Sequence, residues 1–391
     1  MTPTSPATKN APAGGWLASG LTGLVALVVA LATQVASHWG VFHPSLLLNV
    51  ADTDPIAPMI AAVDPSFHFT TAADHYDGVY LWAMARDPFA TAGGAHELID
   101  LAAYRYGHPL YAWIAGALSL GHAPALPWIF WGLSLASMAG AAVALSRLAM
   151  RLGGSPWLGL IVGCSPGLLF SASSALTEPA QLLVIAVLCL RWLNQRTTAL
   201  EIGALTAVMC LMKEPLVLVA VGLGLSALVD AARTRALAWR RCLALLAGPV
   251  VLGGWLLFIR SRFDAEQKTY DDGNLGRPID GWIEIFQYAT GLRFGDAMQS
   301  QIGSTAVPGL MATAALLVAA SVVGLRRLDA LGLVVVLQTV LVSCLGWRTL
   351  LYPHEMFRIP SVPVALAVLL LAVAVTKSAN TPGRRADASK R

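Results

Sequence analysis

The sequence predicts an all-α fold: a polytopic transmembrane bundle of about ten or eleven helices, with a long first extracytoplasmic loop containing short interfacial helices. Three observations carry this. Charged residues make up 12% of the 391 residues while hydrophobic residues make up 56%, and a soluble domain carries roughly twice that charged share. Mean hydropathy is +0.65. Finally, apolar runs approaching the roughly 20 residues of a bilayer-crossing helix recur along the chain.

Taken in order, residues 1–15 form a polar, Pro/Gly/Ser-containing segment read as a disordered cytoplasmic N-terminus. The transmembrane domain spans 16–376. Its first run, Trp16 to Ala36, exceeds a signal-peptide core and reads as a retained span. Residues 37–106 form the first extracytoplasmic loop. Pro127–Leu145, Trp157–Leu176, Pro179–Leu193, Ala199–Met212 and Pro215–Val229 follow as spans. Leu243–Ile259 precedes a second long loop, 261–306, after which come Val307–Leu325, Leu331–Gly346 and Pro360–Val375. Residues 377–391 form a basic cytoplasmic tail.

Lysine and arginine near span ends mark the cytoplasmic side. Lys9, Arg147, Arg151, Arg191, Arg196, Arg233, Arg235, Arg240, Arg241, Arg326, Arg327 and the C-terminal tail all fit on one face. The short run Pro109–Leu120 then cannot cross and reads as a half-helix shielded by protein. The basic residues form no stripe that would follow a nucleic-acid backbone. Cys164, Cys189, Cys210, Cys242 and Cys344 lie singly, without metal or redox spacing, and read as small packing residues.

On this topology a set of polar residues flanking the first long loop or interrupting apolar runs falls on the opposite, extracytoplasmic side: Asp74, Asp77, Arg105, His108, Glu178, Lys213, Glu214, His354, Glu355 and Arg358. Charges near the membrane core are costly and tend to be functional, so the pattern predicts one cavity of mixed charge at the outer surface. Each residue also has a structural reading. Asp74 can cap a helix, and Asp77-Gly78 can form a turn. Glu178-Pro179 and Glu214-Pro215 can start helices, and Lys213 and Arg358 can snorkel to headgroups.

The runs that carry these residues are YDGVYLWAMARDPF (76–89), YRYGHPLYAW (104–113), SALTEPAQLL (174–183), LMKEPLVL (211–218) and HEMFRIPSVP (354–363). In this order they resemble the GT-C superfamily of integral membrane glycosyltransferases, especially bacterial relatives of the mannosyltransferases that build glycosylphosphatidylinositol anchors. The family pattern is an acid in a W/F-D-x-x-x-Y motif after the first span, then a basic and aromatic R-x-x-Y-P-like segment. The chain departs from it at Tyr76, where tryptophan or phenylalanine often stands, at Gly107-His108-Pro109, and at Ala112, where proline is expected. It also has no Asp-x-Asp pair at the main site.

The resemblance implies transfer of a mannose-like hexose from a polyprenyl-phosphate donor to an extracytoplasmic lipid or glycan acceptor hydroxyl, by inverting displacement. Asp77 would be the general base, with Arg105, His108, Lys213 and Arg358 on the donor phosphate. Asp74, Tyr76, Tyr80, Glu178, Glu214, His354 and Glu355 would orient these groups or bind sugar hydroxyls. No metal ligands are assigned; the resemblance is compatible with no cofactor or with a divalent cation. Two other readings stand beside it: a transporter or lipid-linked glycan flippase, and a non-catalytic glycolipid-binding membrane protein.

Overall fold

The computed structural model describes residues 13–38, 40–263, 274–289, 298–351 and 353–379. Among the described residues no strand forms; the β-type contacts are isolated bridges, Ala51 with Thr70 and Leu275 with Leu345. The helices in chain order are α1 (Ala13–Ser37), α2 (Ala57–Val63), α3 (Gly78–Arg86), α4 (Ala102–Arg105), α5 (Leu110–Leu118) and α6 (Leu126–Arg151). Next come α7 (Pro166–Ser173), α8 (Glu178–Leu193), α9 (Ala199–Met212), α10 (Val217–Thr234), α11 (Trp239–Ala244) and α12 (Ala247–Arg262). The chain closes with α13 (Asp280–Ala289), α14 (Met298–Arg327), α15 (Ala330–Ser343), α16 (Trp347–Leu351), α17 (Pro353–Arg358) and α18 (Ser361–Ala379).

Among the described residues, six helical stretches are long and apolar enough to cross a membrane: α1, α6, α10, the α11–α12 stretch, α14 and α18. The other apolar runs form shorter helices. Those of α9 and α15 have 14 residues each, about 21 Å at 1.5 Å per residue, less than the roughly 30 Å of a bilayer's hydrocarbon core. The expected ten or eleven spans therefore divide into six full-length helices and shorter ones packed among them. In the bundle α1 lies on α6, α6 on α8, α9 on α12, α10 on α15, and α14 on both α15 and α18.

One expectation changes. Trp157–Leu176 is not one helix: a 3₁₀ turn covers Pro156–Ile161, and α7 starts afresh at Pro166. Proline lacks the donor and clashes with the preceding turn, so it opens a helix but does not continue one. Ser165 caps the new start, its hydroxyl accepting from Leu168 N. Within the second long loop, 261–306, α13 forms and α14 begins at Met298, ahead of the long apolar stretch Val307–Arg327. Residues 264–273 and 290–297 of that loop lie outside the described residues, as do 1–12 and 380–391 of the tails expected to be disordered. Pro109–Leu120 becomes α5, nine residues long, about 14 Å and too short to cross.

The first loop has a core of its own. Trp82, Tyr106, Tyr111, Leu47, Ile56 and Phe130 are fully buried in one cluster, which also takes in Ile259 and Phe263 at the end of α12. The Tyr106 hydroxyl donates to the carbonyl of Asp87, and Trp255 Nε1 donates to the carbonyl of Tyr106 at 2.6 Å. Burial of these aromatics fixes α3, α4 and α5 over one end of the bundle.

Charge sorts along the helices. At one end, Arg147 stacks on Trp16, Arg151 donates to the carbonyl of Leu193, and Arg241 donates to the carbonyls ending α8. A cation at a helix C-terminus satisfies orphan carbonyls and the helix dipole together. The acids of the expected site lie at the opposite ends of the same helices: α8 begins at Glu178 and has Arg191 in its last turn.

Candidate functional site

The segment before α3, the segment after α4, the starts of α8 and α10, and α17 converge on a cavity of about 440 Å³. Asp77, Arg105, His108, Glu178, Lys213 and Arg358 line it, together with Tyr80 and Glu355. Apolar side chains, Leu216, Leu341, Leu345 and Val362 among them, also line it. That size and mixed lining suit a small-molecule site.

Asp77 precedes the first turn of α3 and is shared between two guanidinium groups. Arg105 Nη1 donates to Oδ1 at 3.1 Å and Arg358 Nη1 to Oδ2 at 3.0 Å. Burial works against the charged carboxylate, but Arg358 and Arg105 outweigh it and hold its pKa down at about 2. Arg358, 8% exposed, also meets Glu355 Oε2 at 3.0 Å and Glu178 Oε1 at 3.5 Å. One guanidinium thus contacts a ring of three carboxyl groups, the planar fork suiting several oxygens at once. Glu355 in turn accepts a short hydrogen bond from the Tyr76 hydroxyl, and burial raises its pKa against the pull of Arg358.

Close backbone packing makes the ring possible. A β-carbon on Gly167 of α7 would lie 2.0 Å from the carbonyl oxygen of Phe357, next to Arg358. Glycine lets α17 rest on α7 and sets the depth of Arg358. His354 stacks on Phe170 of α7 with ring centroids 5.0 Å apart and meets Tyr76 edge-on.

A second group forms around His108. Its Nδ1 lies 3.2 Å from Glu214 Oε1 and its Nε2 lies 3.3 Å from Lys213 Nζ. Burial, then the Lys213 charge, lower its pKa. A neutral ring satisfies both contacts, with Nδ1–H donating to Glu214 and Nε2 accepting from the ammonium. Gly107 allows this: a β-carbon there would lie 2.2 Å from Glu214 Oε1.

The structure brings together Asp77, Arg105, Lys213, Arg358, Glu178 and Glu355, expected as one site. Tyr80 lies under Arg105, whose guanidinium carbon is 3.7 Å from the ring centroid. Tyr76, Glu214 and His354 stand behind this set and contact its members. Asp74 does not belong to it: it is exposed, and its carboxylate accepts from the Thr71 hydroxyl at 2.7 Å, a local turn contact. His108 differs from its expected role, since both ring nitrogens are engaged by Glu214 and Lys213; it positions the lysine. Sequence reasoning missed Asp100, 3.8 Å from Arg105, and the wall residues Gln181, Gln338 and Thr349. Neutral residues inside apolar runs carry little signal by themselves. His96 braces the first loop, its Nδ1 lying 2.6 Å from Asp87 Oδ2.

Among the described residues no group of three or more histidine, cysteine, aspartate or glutamate side chains is arranged to hold a metal ion. No protein-family model matches the chain, no curated protein matches it, and no solved structure does.

Proposed function

We propose that the chain is a membrane glycosyltransferase that moves a hexose from a polyprenyl-phosphate donor to an extracytoplasmic acceptor hydroxyl. The observation that carries this reading is the shared cavity: Asp77, bonded to Arg105 and Arg358, lines about 440 Å³ together with Lys213 and with apolar side chains such as Leu216, Leu341, Leu345 and Val362. Ionic groups at helix ends beside a greasy wall suit a ligand with a phosphate headgroup and a hydrocarbon chain. The acceptor oxygen attacks the anomeric carbon as the bond to the phosphate oxygen breaks, inverting the centre. Asp77 takes the hydroxyl proton, and the cations stabilise the charge that develops on the departing lipid phosphate. Lys213, held by His108, supplies a point charge, while the arginines supply paired donors. Tyr80 and Gln181 border the space left for the sugar.

The experiment is turnover. The full chain in lipid nanodiscs is incubated with polyprenyl-phosphate hexoses and a glycolipid acceptor extract, and released polyprenyl phosphate is measured. Release that depends on Asp77 supports transfer. Translocation of the intact donor across proteoliposomes without release would replace this reading with a transporter, which the break at Ser165-Pro166 suits. Donor binding with neither outcome would leave a glycolipid-binding protein.

A further inference from the structure

Both arginines hold Asp77, one on each oxygen, yet they are anchored very differently. Arg358 lies among Asp77, Glu178 and Glu355, and its side chain is 9% exposed. Withdrawing it would leave Glu178 and Glu355 without their guanidinium and Asp77 with Arg105 alone, and unpaired buried charge is among the most costly arrangements in a protein. Arg105 has twice that exposure, 18%, and its other carboxylate, Asp100, is 3.8 Å away and 60% exposed. Its buried Nε has no hydrogen-bond partner, and neither does that of Arg358, so the two differ in exposure and in the number of carboxylates held. Its guanidinium lies flat on Tyr80, 3.7 Å from the centroid, a contact that tolerates sliding in the plane of the ring.

We propose that Arg105, and not Arg358, is the arm that leaves Asp77 to take the phosphate of the lipid-linked donor, so that one event seats the phosphate and frees the base. This rests on the glycosyl-transfer reading and deepens it by dividing two arginines that the sequence could only group together. Arg105 exchanges one charge-assisted contact for another, and its spare Nε with an Nη completes a two-pronged grip on phosphate oxygens. Asp77 keeps Arg358 as its fixed counter-ion and gains an unoccupied lone pair on Oδ1 for the acceptor hydroxyl. A carboxylate held by two guanidinium groups is a weak base; held by one, it is a stronger one.

The test is a binding cycle on the full chain in phosphatidylcholine nanodiscs, with inorganic phosphate and farnesyl phosphate as probes. Asp77→Asn removes the charge that competes for Arg105, so anion affinity rises about tenfold in the otherwise native chain. In an Arg105→Gln background the same Asp77→Asn change leaves affinity unaltered. Arg105→Lys keeps the charge without the fork and provides a second background, in which the gain shrinks to about threefold or less. A gain with farnesyl phosphate alone assigns the arm to lipid headgroups, and a gain with both probes assigns it to phosphate as such; either supports the inference. An equal gain with and without Arg105 overturns it and moves the phosphate to Arg358 or Lys213, leaving the transfer reading intact. If neither probe binds the native chain or Asp77→Asn, the phosphate site and the transfer reading fall together.

Discussion

Arg358 donates to Asp77 at 3.0 Å across 281 positions of chain, joining the segment before the last helix to the first loop. The same guanidinium holds Glu178 and Glu355. Arg358→Met removes the one cation that, among the described residues, is ion-paired with all three acids. It should lower stability by about 3–5 kcal/mol, the usual cost of stranding buried charge. Thermal unfolding in nanodiscs measures this. Adding Glu178→Gln to Arg358→Met should restore part of the loss, because one stranded carboxylate disappears.

Asp77→Asn keeps the shape of the side chain and removes its basicity. Transfer should fall by about 10²- to 10⁴-fold, the range general-base catalysis supplies, while the protein stays folded and membrane-inserted. Single-turnover release of lipid phosphate, read beside the unfolding temperature, separates the two effects. Native-like release from the purified variant removes Asp77 from the chemistry.

The depressed Asp77 pKa gives a signed dependence on pH. The folded value, about 2, lies below the ordinary aspartate value of about 3.9. The stabilisation is therefore complete above the unfolded pKa and lost as pH falls from about 4 through 2. Glu355, whose pKa is raised, titrates with the opposite sign, so the native chain alone mixes the two. The difference in unfolding temperature between native protein and Asp77→Asn isolates Asp77: constant from pH 5 to 8, shrinking below pH 4. A difference that grows on acidification contradicts the double guanidinium contact.

Gly167 sets the depth of the arginine. Alanine there would put a β-carbon 2.0 Å from a backbone oxygen of α17, and backbone yields less readily than a side-chain tip. Gly167→Ala should cost about 1–3 kcal/mol as an overpacked contact and weaken donor binding by displacing Arg358. Unfolding temperature and donor affinity should move together. A change in neither means that α7 and α17 are further apart than described.

The face of the site is open to direct labelling. Asp100→Cys, near Arg105, and Arg233→Cys, at the basic end of α10, are introduced after replacing Cys164, Cys189, Cys210, Cys242 and Cys344. A membrane-impermeant maleimide should reach position 100 from the outside of cells and position 233 only after permeabilisation. Labelling of both from one side breaks the proposed orientation.

Much of this architecture is legible in the chain. Runs such as Trp16–Ala36 and Pro127–Leu145 fold as helices because apolar length and few charges leave little alternative. Trp157–Leu176 fails as a single helix because Pro166 outweighs hydropathy locally. Asp77, Glu178, Lys213 and Arg358 stood out because isolated charge in an apolar chain is conspicuous. The partners did not: nothing in the spacing of Arg358 says that it serves three carboxylates, or that His108 bridges Glu214 to Lys213. Asp74, as polar as Asp77 and three residues away, turns outward to Thr71 because the turn before α3 ends between them. Phe170 and Gln338 gain their places only through tertiary contact.

Two acids of the ring, Asp77 and Glu178, are made early, while the third, Glu355, comes late with the shared cation. During biosynthesis Asp77 and Glu178 leave the ribosome well before Arg358, so neither can reach its final partner until most of the polypeptide has been delivered to the bilayer. A nascent chain ending before α17 carries its negative groups without their common counterweight. Quality control that senses exposed intramembrane charge would distinguish such a fragment from the finished protein at this one residue.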